Sequence, residues 1–244
     1  MKQSIFTILS NEALTGSVYK MVLSGDTSAI TAAGQFVNIQ LDGMFLRRPI
    51  SVCDYDDKTL TIVYKVVGKG TAAMSKMTTG TKLDILTGLG NGYDMTAAGS
   101  HPVLIGGGVG VPPMYGLAKR LAEQGVRFSV ILGFNTQSEI FYEDEFKALG
   151  ADVQVTTVDG SYGVKGFVTN ALPETYTHFY TCGPEPMLKA VYRAATTSGQ
   201  FSFEERMGCG FGACMGCSCK TVTGNKRICK EGPVLVKEDI IWDK

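Results

Sequence analysis

Five of the seven cysteines in this chain of 244 residues fall in one short stretch: Cys209, Cys214, Cys217, Cys219 and Cys229. An odd, clustered set suits a metal site better than a disulfide framework. Cys209, Cys214 and Cys217 follow Cys-x4-Cys-x2-Cys, and with the more distant Cys229 they give the spacing that holds a [2Fe–2S] cluster. The intervening residues agree. A loop wrapped around a four-atom inorganic core must be made of small residues if its N–H groups are to turn toward the sulfides. Gly208, Gly210, Gly212, Ala213 and Gly216 supply them. Structural zinc also takes four thiolates and is the competing reading, although it commonly uses two short-spaced pairs. Cys219 is read as a packing residue, and Cys53 and Cys182 as small buried hydrophobes.

Other residues are suited to phosphates. Arg48-Pro49-Ile50-Ser51 offers a guanidinium for a pyrophosphate and a hydroxyl for a flavin ring. Alone it is a weak motif, and Arg47 beside it reads as a solvated charge. Further on, Gly68-Lys69-Gly70-Thr71 opens a short helix where glycine lets a phosphate approach the backbone N–H groups. Together the two point to FAD. Val103-Leu104-Ile105-Gly106-Gly107-Gly108-Val109-Gly110-Val111-Pro112-Pro113 is a strand, a glycine turn and a helix start. It departs from Gly-x-Gly-x-x-Gly, yet Gly107, Gly108 and Gly110 can still lie over a dinucleotide pyrophosphate. Cys182-Gly183-Pro184 begins a second such turn. Gly133-Phe134-Asn135-Thr136 has no Arg or Lys to clamp a 2′-phosphate, which favours NADH over NADPH.

The elements that must position these groups are legible in outline. Short β-rich runs fill the first hundred or so residues: Ser4–Leu9, Val18–Leu23, Gln35–Leu41, Ile50–Asp54, Thr59–Val67 and Lys82–Leu86. Their spacing predicts an antiparallel barrel or sandwich, interrupted by one helix over Thr71–Met77. From His101 the pattern changes. Strands at Val103–Ile105, Phe128–Gly133, Asp152–Thr157 and His178–Thr181 alternate with helices at Met114–Gln124, Glu139–Leu149 and Glu185–Thr197. That alternation predicts a parallel, doubly wound α/β sheet, with ligands at the carboxyl ends of its strands. From Phe203 the tail is expected to form strands at Ser218–Thr223 and Gly232–Val236 around a turn at Gly224-Asn225, and to rely on its metal for want of a core. The expected domains are residues 1–98, 99–202 and 203–244.

Composition removes other classes. With 23 basic and 23 acidic side chains the net charge is zero, so neither nucleic acid nor an anionic membrane surface is an expected partner. Apolar residues at 44% exclude intrinsic disorder. No apolar run is long enough to cross a bilayer and Met1–Ser10 lacks a secretion pattern, so the expected setting is cytoplasmic.

The barrel motifs, the Gly-Gly-Gly-x-Gly-x-Pro-Pro turn and the Cys-Gly-Pro-x-Pro-Met turn together resemble the ferredoxin–NADP reductase superfamily. With Glu205-Arg206-Met207-Gly208-Cys209 and the residues through Cys217 added, the whole chain resembles the electron-transfer subunits of NAD-dependent (class 1B) dihydroorotate dehydrogenases. The resemblance implies FAD between barrel and nucleotide domain, held by Arg48, Pro49, Ile50 and Ser51, by a strand carrying Val63, Tyr64 and Lys65, and by Gly70 and Thr71. Lys65 stands where Arg is common, which keeps the charge and loses the planar fork. It implies a [2Fe–2S] cluster on Cys209, Cys214, Cys217 and Cys229, with the last gap on the short side, and NAD near Cys182, Gly183 and Pro184. It further implies a relay with no catalytic acid or base. A partner subunit carrying FMN oxidises dihydroorotate in pyrimidine biosynthesis, electrons pass singly through the cluster to FAD, and a hydride goes to NAD+. A heterotetramer of two such chains with two catalytic subunits is expected. Flavin subunits of a ferredoxin:NADP oxidoreductase, a sulfide dehydrogenase or a hydrogenase diaphorase are alternatives; a zinc- or nucleotide-binding regulator is the non-enzymatic one.

Overall fold

The computed structural model describes residues 1–242. Strands β1 (Lys2–Ala13), β2 (Val18–Ser24), β3 (Phe36–Ile39), β4 (Arg48–Tyr55), β5 (Thr59–Lys65) and β6 (Lys82–Leu89) close an antiparallel barrel in the order β1-β2-β5-β4-β3-β6. Period-two alternation fills its interior: Phe6 and Ile8, Met21 and Leu23, Val37 and Ile39, and Leu60, Ile62 and Tyr64 all point inward. Helix α1 (Lys69–Met74) seats Met74 in that core. It begins two residues before the expected Thr71, because the Thr71 hydroxyl fixes the entry by accepting from the N–H groups of Val67 (3.0 Å) and Gly68 (3.3 Å).

The second sheet is built from β7 (Val103–Gly107), β8 (Ser129–Phe134), β9 (Asp152–Thr157), β10 (Val164–Lys165), β11 (Phe179–Cys182), β12 (Gly199–Ser202) and, from far down the chain, β15 (Val234–Val236). Its order is β10-β9-β8-β7-β11-β12-β15, parallel throughout except for the antiparallel β12–β15 pair. Alternate residues divide between two faces. Leu104, Val130, Leu132 and Tyr180 meet α2 (Val111–Glu123) through Met114, Leu117 and Leu121. Val103, Ile105, Ile131 and Phe179 meet α4 (Glu185–Ala194) through Leu188 and Val191. Strand order reverses between β7 and β11, so the crevice of this doubly wound sheet opens there.

Three expectations need correction. The helix expected over Glu139–Leu149 is a one-turn 3-10 segment at Gln137–Glu139 followed by α3 (Glu143–Ala148), because Tyr142 is left-handed at φ 68°. Strand β12 was not expected: a glycine and two polar residues around Phe201 show no period. In the tail, β13 (Ser218–Thr221) pairs with β14 (Gly224–Arg227) across Val222-Thr223, so Gly224-Asn225 lies in a strand and not in the turn. The segment expected to flank that hairpin leaves it as β15 and extends the nucleotide-domain sheet.

The tail borrows its core. Cys217, Ile228, Cys229, Leu235 and Ile240 pack with Val103, Ile105 and Phe179 of the sheet and with Phe36 and Leu89 of the barrel. Protein packing therefore holds the segment as well as any metal. Asn91 adds a two-way clasp, its Nδ2 donating to the Val234 carbonyl (2.7 Å) and its Oδ1 accepting from the Val234 N–H (3.0 Å). Barrel and sheet are joined at α2: a Cβ on Gly116 would overlap the Cys53 carbonyl, Lys119 pairs with Asp54 at 2.7 Å, and the Arg120 guanidinium lies 4.6 Å over the Tyr55 ring. Gln200 grips the connecting segment by donating to the Asp94 carbonyl and accepting from its N–H, both at 2.8 Å.

Candidate cofactor crevice and metal centre

The fold brings the two barrel motifs together. Arg48 opens β4 and Gly70 lies in α1, and a Cβ on Gly70 would collide with the Arg48 guanidinium. Among the described residues Arg48 has no carboxylate partner; its guanidinium reaches the carbonyls of Leu46 and Arg47 and the Met44 sulfur. A part-buried, unpaired guanidinium against a glycine loop is a fit for a pyrophosphate. Ser51 is half-buried on the outer side of β4, and Ile50 packs on the barrel core. Tyr64 turns inward, its hydroxyl donating to Asn11 Oδ1 at 2.9 Å while burial pushes its pKa up to about 12. That strand can therefore offer a ligand the backbone of Val63 and Tyr64 and the side chain of Lys65, the Val63 side chain being buried in the core shared with α2. Thr71 spends its hydroxyl on its own loop and shapes the site through the backbone. Arg47 is no solvated charge. It pairs with Asp84 at 2.9 Å, donates to the carbonyls of Asn38 and Asp84, and by that pairing holds the Asp84 carboxyl below the usual range.

Both glycine turns of the sheet meet at its switch point. A Cβ on Gly110 would overlap the Cys182 carbonyl, and one on Gly107 would overlap the Met187 sulfur beside Pro184. Gly183 packs on Gly107 in turn. Gly108, at φ +51°, has open space around it, so its backbone is free to approach a ligand. This pair of turns fits a dinucleotide. Burial pushes the Cys182 thiol up to about 12 against an opposing hydrogen bond with Ser202, so the sulfur is a neutral thiol near neutral pH. A residue that sequence reasoning passed over is Glu139, which folds back on the end of β8 to accept from Asn135 N (3.2 Å) and Asn135 Nδ2 (2.8 Å). Only the 3-10 turn brings it there.

The cysteines stand in two pairs. The N–H of Cys214 points to Cys209 Sγ (3.4 Å) and that of Cys209 to Cys214 Sγ (3.5 Å), while the N–H of Cys229 points to Cys217 Sγ (3.4 Å). Ala213 N–H also donates to Cys209 Sγ at 3.2 Å. Among the described residues no three Cys, His, Asp or Glu side chains converge as a single ion requires. Two cysteine pairs with amides aimed at sulfur fit a dinuclear cluster better than one zinc ion. Gly212, at φ +92°, permits the loop to pass Lys230, and Arg227 holds its carbonyl at 2.6 Å while pairing with Glu231. On the other side, Asn38 Nδ2 donates to the Cys209 carbonyl at 3.3 Å. Cys219 lies in β13 against the shared core, and no hydrogen bond joins it to the other sulfurs.

A barrel with a phosphate-ready arginine, joined to a doubly wound sheet and a tetracysteine loop, defines a ferredoxin-reductase-like oxidoreductase with an iron–sulfur segment. The model for the iron-sulfur cluster binding domain of dihydroorotate dehydrogenase B matches residues 204–241, and that for an oxidoreductase NAD-binding domain matches residues 104–193. The dihydroorotate dehydrogenase B (NAD(+)) electron transfer subunit of Bacillus pumilus is 42% identical, with 98% of each chain covered. Its counterpart from Fusobacterium nucleatum is 41% identical over 98% of this chain and 99% of its own. The chain belongs to the family of dihydroorotate dehydrogenase B (NAD(+)) electron transfer subunits. Among solved structures, one of an NADH-dependent reduced ferredoxin-NADP oxidoreductase aligns with a TM-score of 0.89 and 30% identity over 97% of this chain and 90% of its own. A ferredoxin NADP+ reductase from Neisseria gonorrhoeae, solved with FAD and NADP, shares the fold at a TM-score of 0.69 and 20% identity, over 80% of this chain and 90% of its own. Among the described residues no helix is long and apolar enough to cross a membrane.

Proposed function

We propose that this chain conducts electrons to NAD+ from a catalytic subunit that oxidises dihydroorotate, serving pyrimidine synthesis, and that the catalytic subunit carries FMN and assembles with it two to two. The observation that supports this most is the two cysteine pairs, in a loop whose Cys209 carbonyl accepts a hydrogen bond from Asn38 of the same barrel that bears Arg48. In this reading residues 1–98 bind FAD, 99–202 bind NAD and 203–244 hold the cluster. Arg48 and the Gly70–Thr71 turn take the FAD pyrophosphate; Pro49, Ile50, Ser51, Lys65 and the backbone of Val63 and Tyr64 line its ring. Gly107, Gly108 and Gly110 lie against the nucleotide phosphates, and Cys182, Gly183 and Pro184 border the nicotinamide. Cys209 and Cys214 hold one iron, and Cys217 and Cys229 the other. When bound, the cluster supplies one-electron transfer and the flavin the exchange between one-electron and hydride chemistry. The chain's own residues hold and orient these groups, and no side chain is assigned as acid or base.

Purified protein tests the reading. It should show a flavin band near about 450 nm with iron–sulfur shoulders, and reduce an artificial acceptor with NADH. Dihydroorotate should bleach it only when the catalytic subunit is added. A colourless protein containing zinc would sink the proposal.

A further inference from the structure

Among the described residues, Asn38 is the one barrel side chain that hydrogen-bonds into the cysteine loop. Its surroundings make it an unusual choice for packing alone. The residue is 1% exposed, and its Oδ1 has no hydrogen-bond partner. An apolar side chain would avoid that buried, unsatisfied acceptor. Gly210, at φ +79°, passes so close that a Cβ there would overlap the Asn38 amide, so the loop is shaped to receive this side chain. Across the β3–β4 pair Asn38 stands opposite Pro49, and Phe36 opposite Ser51. Its amide therefore shares the outer face with Pro49 and Ser51, whereas Ile50 turns toward the barrel core. Its backbone carbonyl also accepts from Arg47 at 3.3 Å. One residue is thus tied by register to the flavin strand and by hydrogen bond to the peptide of the first cysteine.

We propose that Asn38 is a positioning residue that fixes the Cys209 end of the iron–sulfur loop against the flavin strand and thereby sets the rate of electron exchange between flavin and cluster. The inference rests on the cofactor assignment made above. It asks nothing of Asn38 in the chemistry itself: the rate of electron transfer falls steeply with separation, and the Nδ2–Cys209 hydrogen bond limits how far the loop can drift. The acceptor left unpaired is the cost of keeping a donor at that position.

Stopped-flow reduction of the full cofactor-loaded chain by NADH resolves the two steps. In Asn38→Leu and in Asn38→Ala, which both lose the donor, flavin bleaching by NADH stays at the parent rate. Transfer from flavin to cluster slows by about five- to tenfold, the scale of one lost hydrogen bond, and the electron paramagnetic signal of the reduced cluster shifts. Parent transfer rates in either cofactor-loaded variant overturn the proposal. Failure of both variants to take up cluster while still folding and binding flavin overturns it too, since Asn38 would then be a structural support. A parent protein that lacks cluster or flavin sinks the cofactor assignment instead, before any variant is made.

Discussion

Individual side chains carry the sharpest expectations. Arg48→Ala should weaken FAD binding by roughly tenfold or more, as expected for losing a charge-assisted hydrogen bond of about 1.5–3 kcal/mol, and Arg48→Lys should recover part of it; titration of flavin-stripped protein measures both. Cys214→Ser should abolish the cluster signal in visible and paramagnetic spectra while NADH still reduces the flavin. For Cys182 the sign is clear. Its folded pKa is raised to about 12, so it stays protonated from neutral pH to well above its ordinary value of 9.0. NADH oxidation should show no thiol inflection between neutral pH and that value, and alkylation of Cys182 should not accelerate across the same range. Glu139 bears on coenzyme choice, because a carboxylate at the end of the second strand of such a sheet suits a ribose diol and opposes a 2′-phosphate. Glu139→Gln should improve kcat/KM for NADPH relative to NADH by roughly tenfold, the effect of removing one like charge near the surface.

Elements decide whether those side chains meet. The turn between β7 and α2 touches the turn after β11 through Gly110, where a Cβ would overlap the Cys182 carbonyl. Gly110→Ala should therefore cost about 1–3 kcal/mol by overpacking, read as a lower denaturation midpoint together with a raised KM for NADH. Much of this scale was legible from residue order. The strand–glycine–helix succession around Val103–Val111, the barrel strands and the cysteine spacing are local patterns with strong periodicity or punctuation. What escaped was set at long range. β12 pairs with β11 and β15 only after the chain has returned, and Gly-Gln-Phe-Ser has no period to betray it. The 139–149 helix breaks at left-handed Tyr142, whose hydroxyl accepts from the Cys53 sulfur at 3.4 Å, a contact with the barrel that residue order does not reveal. Arg47 looked solvated because Asp84, its partner, lies in another strand.

At the scale of the whole molecule, two of the three apolar clusters cross the domain boundaries, so the parts are expected to unfold together rather than one by one. Barrel residues appear in the cores of both neighbours: Cys53 and Val63 with α2, Phe36 and Leu89 with the tail. Restoring FAD to stripped protein at about a hundred times its Kd should add about 2.7 kcal/mol of stability. The resulting rise of several degrees in Tm should appear in a single transition followed both by flavin fluorescence and by circular dichroism. Two transitions, with only the first sensitive to FAD, would contradict the shared cores.

The placement of β15 has a consequence for biogenesis. Its antiparallel pairing with β12 covers what is otherwise an open edge of the nucleotide sheet, yet the ribosome delivers β15 only after the whole cysteine loop has emerged. Until then the edge of β12 is bare and able to recruit a strand from another nascent chain. The segment that receives iron thus also protects the sheet, so chains interrupted between β12 and β15 should be found in aggregates rather than accumulating as soluble, cluster-free flavoprotein.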